Sequence, residues 1–264
     1  MALDYPYQEW APDVLLVYIT VQIITTAVLG IISSLFWSKF REKRSLELKM
    51  LGVFTIFMAV SFIIGMVPQV LALVAHDLPI INGIPVFFED RRLWWTNLAY
   101  VFLSASTLCL FKFEQSIFQK PSQKIYWIYL ILIVIFNIWS IYHGIFVVVP
   151  GVPSLTLPLS ILFLGLQFFV WGFLFFKAFH GYWRLGPSIY KVGFQLITMS
   201  ALCMMLSFIM YAVNVLLKTQ IITILNFAFY IFTSFLIYLG YILPPWFRQK
   251  LAKKYPDETE SKNK

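Results

Sequence analysis

A bundle of seven transmembrane helices, all-α and polytopic, is the fold this sequence predicts. Three observations carry that reading. Seven apolar stretches take up nearly all of the 264 residues, 60% of the residues are hydrophobic while only 12% are charged, and the Lys and Arg residues between the stretches fall on alternate connections. So apolar a chain of this length has no single soluble core large enough to hide its side chains, whereas a bilayer accepts them.

The stretches run over Asp13–Trp37, Met50–Ala75, Leu93–Leu110, Ile125–Val149, Leu155–Phe176, Tyr190–Leu217 and Gln220–Leu243. A helix rises about 1.5 Å per residue, so roughly 20 residues cross the hydrocarbon layer. All but the third reach that length easily. The third is bounded by Trp94 and Trp95 at one end and Lys112 at the other, and is shorter.

Positive charge orients the bundle. Lys39, Arg41, Lys43, Arg44 and Lys49 follow the first stretch, Lys112, Lys120 and Lys124 the third, and Lys177, Arg184 and Lys191 the fifth. With Arg248 and the five tail lysines, this puts 17 of the 20 basic residues on one side. The other side has Arg91, Arg92 and Lys218. The excess of basic residues in cytoplasmic connections then places the amino terminus outside and the carboxyl terminus inside. Trp10, Trp94 and Trp95 fall at outer ends and Trp37, Trp127, Trp183 and Trp246 at inner ends, where an indole is favoured.

The expected organisation is an extracellular segment over 1–12, a transmembrane domain over 13–247 and a basic cytoplasmic tail over 248–264, disordered from Tyr255 onward. The net charge of +8 is spread over four cytoplasmic segments, which suits anionic inner-leaflet lipid better than nucleic acid. Asp4, Glu9 and Asp13 precede the first stretch without a basic residue, unlike a signal peptide, so the first helix is expected in the mature protein. Cys109 and Cys203 both lie in apolar stretches, which leaves no extracellular disulfide.

A 3+1+3 repeat is suggested by short matches between the two ends of the chain. Leu51-Gly52-Val53-Phe54 corresponds to Val192-Gly193-Phe194-Gln195, and Asn97-Leu98-Ala99-Tyr100 to Asn226-Phe227-Ala228-Phe229. Ser104 and Thr233 lie seven residues after the respective asparagines, and Gln22 pairs with Gln167. In a chain so rich in Phe, Leu and Ile, coincidence explains such matches as readily as duplication does.

Polar side chains at membrane depth must find a partner or line a cavity. The uncharged candidates are Gln22, Gln69, Asn97, Asn137, His143, Gln167, Gln195, Asn214 and Asn226, and no carboxylate or basic residue is expected in the middle of a helix. Most fall toward the outer side, Asn137 and Gln167 near the midplane and Gln195 toward the inside. That distribution suits an outward-facing pocket over an inner half sealed by apolar residues. Any one of them can serve instead as an interhelical hydrogen bond worth about 0.6–2 kcal/mol. In the fourth stretch Asn137, Ser140 and Tyr142 or His143 recur at helical spacing, and Trp139 and Trp171 are expected to form apolar walls where the fourth and fifth helices pack antiparallel. The candidate ligand-binding set is therefore Gln22, Gln69, Asn97, Asn137, Trp139, His143, Gln167, Trp171 and Asn226.

No catalytic or cofactor chemistry is expected. His-Glu-x-x-His, paired intramembrane aspartates and Gly-x-Ser-x-Gly are missing from the sequence, the three histidines lie at different depths, and the last stretch has no lysine for a retinal Schiff base.

Two short motifs carry resemblances. The exit from the last helix, Tyr241-Ile-Leu-Pro244-Pro245-Trp246-Phe247-Arg248-Gln-Lys250, together with seven helices and small outer loops, resembles the seven-helix sensor segment that precedes many archaeal and bacterial histidine kinases. No kinase follows in this sequence, so the resemblance implies signalling to a separate cytoplasmic protein. Pro68-Gln69 is similar to the Pro-Gln pair of PQ-loop and sugar-exporter families, which share the 3+1+3 plan. The sixth stretch carries no matching proline, and the family's pair belongs in the first helix of each unit, so Pro68 reads as a helix kink. The expected function is a membrane sensor or receptor-like module for a small neutral or amphipathic ligand. A facilitative transporter of small neutral solutes and an accessory subunit of a membrane complex are the alternatives.

Overall fold

The computed structural model describes residues 12–75, 89–118, 123–146, 156–217 and 220–255, which form eight α-helices and no strand. These are α1 (Pro12–Lys43), α2 (Leu46–Ala75), α3 (Glu89–Ile117), α4 (Gln123–Phe146), α5 (Thr156–Arg184), α6 (Ile189–Leu217), α7 (Gln220–Ile242) and α8 (Pro245–Lys254). The expected extracellular amino-terminal segment and the end of the tail lie largely outside the described residues, as do the connections over 76–88 and 147–155. Six helices, α1, α2, α4, α5, α6 and α7, are long and apolar enough to cross a membrane. The chain is therefore a multi-pass helical membrane protein. The 29-residue α3 is long enough, but its described residues do not match the others in hydropathy.

The helices run alternately up and down. α1 packs on α2, α2 on α3, α3 on α5, α5 on α6, α6 on α7 and α7 back on α1, closing a ring. α4 sits outside it, chiefly on α3, and does pack antiparallel to α5, with Phe136 against Phe163 and Tyr129 against Leu166. Its outer face is a column of exposed Ile128, Ile131, Ile135 and Ile138, a distribution that suits lipid and not water. Rings meet across the middle of the bundle: Phe54 of α2 with Trp171 of α5, Phe62 of α2 with Tyr230 of α7, and Phe113 of α3 with Tyr241 of α7. Edge-to-face aromatic pairs of this kind add about 0.5–1.5 kcal/mol beyond burial, so the ring is filled and not hollow at these levels.

The junctions at one end, called here the basic end, are short because the local chemistry stops and restarts the helix within a few residues. Arg44 takes a left-handed conformation (φ 53°) that closes α1, and the Ser45 hydroxyl accepts the Leu48 N–H at 3.3 Å to cap α2. Ser188 caps α6 in the same way through the Lys191 N–H at 3.1 Å. Leu243 (φ 47°) closes α7, and Pro244 and Pro245 then force a fresh start, with Pro245 in the first turn of α8 where a missing N–H costs nothing. The basic segment after the proline stop, Pro245–Lys254, is itself a helix. Helices at this end also run farther than their apolar cores. α1 continues to Lys43, α3 to Ile117 and α5 to Arg184, because straight-chain and aromatic residues past the apolar stretch continue a helix without penalty.

The α6–α7 contact is a ladder with one rung every seven residues on each helix. Gly193 faces Gly240 so closely that a Cβ on either would lie 2.7 or 2.8 Å from the other's carbonyl oxygen. One heptad along, the Ser200 hydroxyl donates to the Thr233 carbonyl at 2.9 Å and the Thr233 hydroxyl donates back to the Ser200 carbonyl at 3.3 Å. One heptad further, the Ser207 hydroxyl donates to Asn226 Oδ1. Small and hydroxylated residues at such spacing allow helix axes to approach where lipid supplies no hydrophobic drive for association.

Candidate functional site

The polar groups of the interior follow α3. Asn97, Tyr100, Ser104, Thr107, Phe111 and Glu114 recur at alternating spacings of three and four, so they lie on one helical face. Asn97, Ser104, Thr107 and Glu114 are all buried.

At the end away from the basic connections, α1, α2 and α3 converge. A Cβ on Gly65 would lie 3.8 Å from the Ala99 Cβ and 4.0 Å from Gln22 Nε2, which places Gln22 and Ala99 on either side of Gly65 at this level. Gln22, Gln69 and Asn97 are buried to 5%, 2% and 4% residual exposure, and each keeps one polar atom without a partner: Gln22 Oε1, Gln69 Oε1 and Asn97 Nδ2. Two acceptors and one donor are thus unspent. Buried amides ordinarily satisfy their hydrogen bonds, and each orphan costs about 1–3 kcal/mol unless something occupies it.

A second group lies one turn deeper. The Tyr100 and Tyr211 hydroxyls share a hydrogen bond of 2.6 Å between α3 and α6, and Tyr100 packs on Phe163. Asn226 is held by Ser207, and Tyr230 lies within hydrogen-bonding reach of the same serine. Tyr18, Phe62, Phe208 and Phe227 surround this network with rings 4.9–6.4 Å apart.

Between α3 and α4 a third set of bonds runs toward the basic end. The Ser104 hydroxyl donates to Asn137 Oδ1 at 2.7 Å, the Thr107 hydroxyl to the Ser104 carbonyl at 2.8 Å, and the Tyr129 hydroxyl to Thr107 Oγ1 at 3.0 Å. Across the bundle, Gln167 and Trp171 lie four residues apart on one face of α5, both fully buried. Neither amide atom of Gln167 nor the Trp171 indole N–H has a partner.

The structure therefore distributes the predicted residues. Gln22, Gln69 and Asn97 lie in the convergence of α1, α2 and α3; Asn226 joins the α6–α7 ladder; Asn137 bonds to α3; Gln167 and Trp171 face the interior from α5. Trp139 packs at the edge of the core, and His143 belongs to α4 with its side chain outside the described ones. One residue was missed. Glu114 is fully buried near the basic end of α3, with both carboxylate oxygens unpartnered, contrary to the expected apolar seal of that half. Ending the third stretch at Leu110 because of Lys112 hid it. The polar spacing through 104, 107 and 114 was the signal that continued past it.

An open groove of about 580 Å³ lies against α1 at Gly30, Ser34, Ser38 and Arg41. Among the described residues no cluster of three or more His, Cys, Asp or Glu could hold a metal. Comparisons with family models, with curated proteins and with solved structures find no match to this chain.

Proposed function

We propose that the protein is a seven-span membrane sensor of 3+1+3 plan, with its amino terminus outside and its tail in the cytoplasm, binding a small neutral or amphipathic molecule between α1, α2 and α3. The observation that carries this reading is the set of unspent atoms on Gln22, Gln69 and Asn97. Two acceptors and one donor complement a primary amide or a similarly equipped neutral head, and Gln22, Gln69 and Asn97 carry no charge to pair with an ion. The signal leaves through the left-handed turn at Leu243 into α8, whose exposed Trp246, Arg248, Lys250 and Lys253 suit an anionic inner leaflet or a separate cytoplasmic signalling protein. The same exit motif supports the likeness to kinase-linked sensor segments. The 3+1+3 plan is supported by register, since Gly65 meets Ala99 within one residue of the register that maps α6–α7 onto α2–α3.

The test uses octanamide as probe on the purified protein. Octanamide should raise the melting temperature of the wild type, and Gln69→Leu should remove that rise without lowering the unliganded melting temperature. No rise in the wild type, or an unchanged rise in the variant, would remove this site.

A carrier is the second reading, and Glu114 is the observation that favours it, in a proton-coupled form and not the facilitative one expected from the sequence, because carriers coupled to protons use intramembrane carboxylates. Saturable uptake of a neutral solute into liposomes, abolished by Gln167→Ala, would establish that reading over the sensor.

A further inference from the structure

Glu114 lies far along α3 from the three amides, in the last turn before Ile117. Leu110, Phe111 and Phe113 beside it on α3 are fully buried, as Glu114 is, and both its carboxylate oxygens lack a hydrogen-bond partner. The ionisable groups near this level come from several elements. Tyr129 of α4 is close enough to interact electrostatically, but its hydroxyl donates to Thr107 at 3.0 Å and reaches the Leu166 carbonyl at 3.4 Å. Tyr241 of α7 meets Phe113 ring to ring, and its charged neighbour is Glu47 of α2. Lys49 at the start of α2 is exposed. Lys112 of α3 stands over Tyr126, Lys177 of α5 over Phe173 and Lys191 of α6 over Tyr182. Lys39–Glu42 is the single ion pair among the described residues, so none of these cations bonds Glu114.

A carboxylate so placed needs a positive partner, and its surroundings decide which. Sodium, magnesium or calcium must exchange water for about six oxygen ligands, whereas this site supplies two carboxylate oxygens among apolar groups. A proton needs one. The distance to water is also short, since Glu114 is about one helical turn, roughly 5 Å, from the end of α3.

We infer that Glu114 is a reversible proton-binding site at the basic end of the bundle. A carboxylate oxygen takes a proton from hydronium, forming the O–H bond and leaving one water molecule; release returns the proton to water and leaves one negative charge on α3. That charge lies within electrostatic reach of Tyr129, whose bond to Thr107 begins the chain through Ser104 to Asn137, so the proton's arrival and departure are felt at the α3–α4 contact. The inference goes beyond the sensor reading and holds equally for a carrier.

Two measurements on the full-length protein in liposomes test it. In infrared difference spectra between about pH 5 and about pH 9, the wild type should lose a carboxylic C=O band that shifts in deuterium oxide, and Glu114→Gln should lack that band. An apolar carbodiimide, dicyclohexylcarbodiimide, should modify Glu114 of the wild type at the lower pH and spare it at the higher, read by peptide mass spectrometry. This second measurement needs no variant and stands if Glu114→Gln fails to fold. The inference is overturned if the band persists in Glu114→Gln, if carbodiimide labelling of Glu114 is the same at both pH values, or if sodium or potassium at constant pH abolishes the labelling.

Discussion

Gly193→Ala tests whether the α6–α7 ladder depends on backbone contact. An alanine Cβ at this position would sit 2.7 Å from the Gly240 carbonyl oxygen, whereas ordinary contact begins at 3.4 Å, so the helices must separate by about 0.7 Å at this rung. The obstacle is backbone, which cannot rotate away as a side-chain tip can. Carried along the ladder in full, the same displacement would stretch the 2.9 Å Ser200–Thr233 bond past the hydrogen-bond limit. Overpacking costs about 1–3 kcal/mol and the weakened pair up to about 1 kcal/mol for each bond, while replacing a mid-helix glycine returns about 0.5–1 kcal/mol. The net expectation is a loss of roughly 1–3 kcal/mol by those terms. Gly172→Ala on α5 is the control, because nothing lies within 4 Å of its added Cβ, and the propensity gain alone should raise stability. Reversible unfolding in mixed micelles, followed by tryptophan fluorescence, should give the two variants opposite signs. Equal shifts, or a Gly193→Ala protein at least as stable as the wild type, would refute close backbone packing at this crossing.

Ser207→Ala strands the Asn226 side chain in the core and should cost about 1–2 kcal/mol, with much of the loss recovered when Asn226→Leu is added; urea-independent thermal unfolding of both variants reads the difference. Tyr100→Phe and Tyr211→Phe share one 2.6 Å bond, so a double-mutant cycle should show coupling of about 0.5–1.5 kcal/mol, and additive effects would mean the hydroxyls do not depend on each other. For orientation, a cysteine at Leu3 should be labelled in intact cells by an impermeant thiol reagent and one at Ser261 should not; the reverse pattern would invert the proposed topology.

Much of the architecture was legible because its governing quantities are one-dimensional. Apolar length decides whether a segment can cross a bilayer, and the six spans reproduce six of the stretches read from the chain. Their ends at the basic side were less legible. Hydropathy falls where lysines and aromatics begin, yet backbone hydrogen bonding continues through them, so α1 and α5 run six and eight residues past the predicted ends at Trp37 and Phe176. The Pro244-Pro245 stop was plain, but the helix it restarts was not, since ten residues without strong periodicity take their shape from the surface they lie on.

Sequence by itself determined which residues are polar at depth, because an amide or hydroxyl in an apolar segment is visible without coordinates. Only the tertiary structure decided which of them are spent. Asn137 and Asn226 have partners from helices 33 and 19 residues away in sequence, whereas Gln22, Gln69, Asn97 and Gln167 keep unpaired atoms, a difference no local pattern encodes. Tertiary structure likewise turned Glu114 from an end-of-helix charge into a buried carboxyl. At its end of α3, Phe113 meets Tyr241 from the far end of the chain and α4 packs on α3, and such contacts arise only when the helices have assembled.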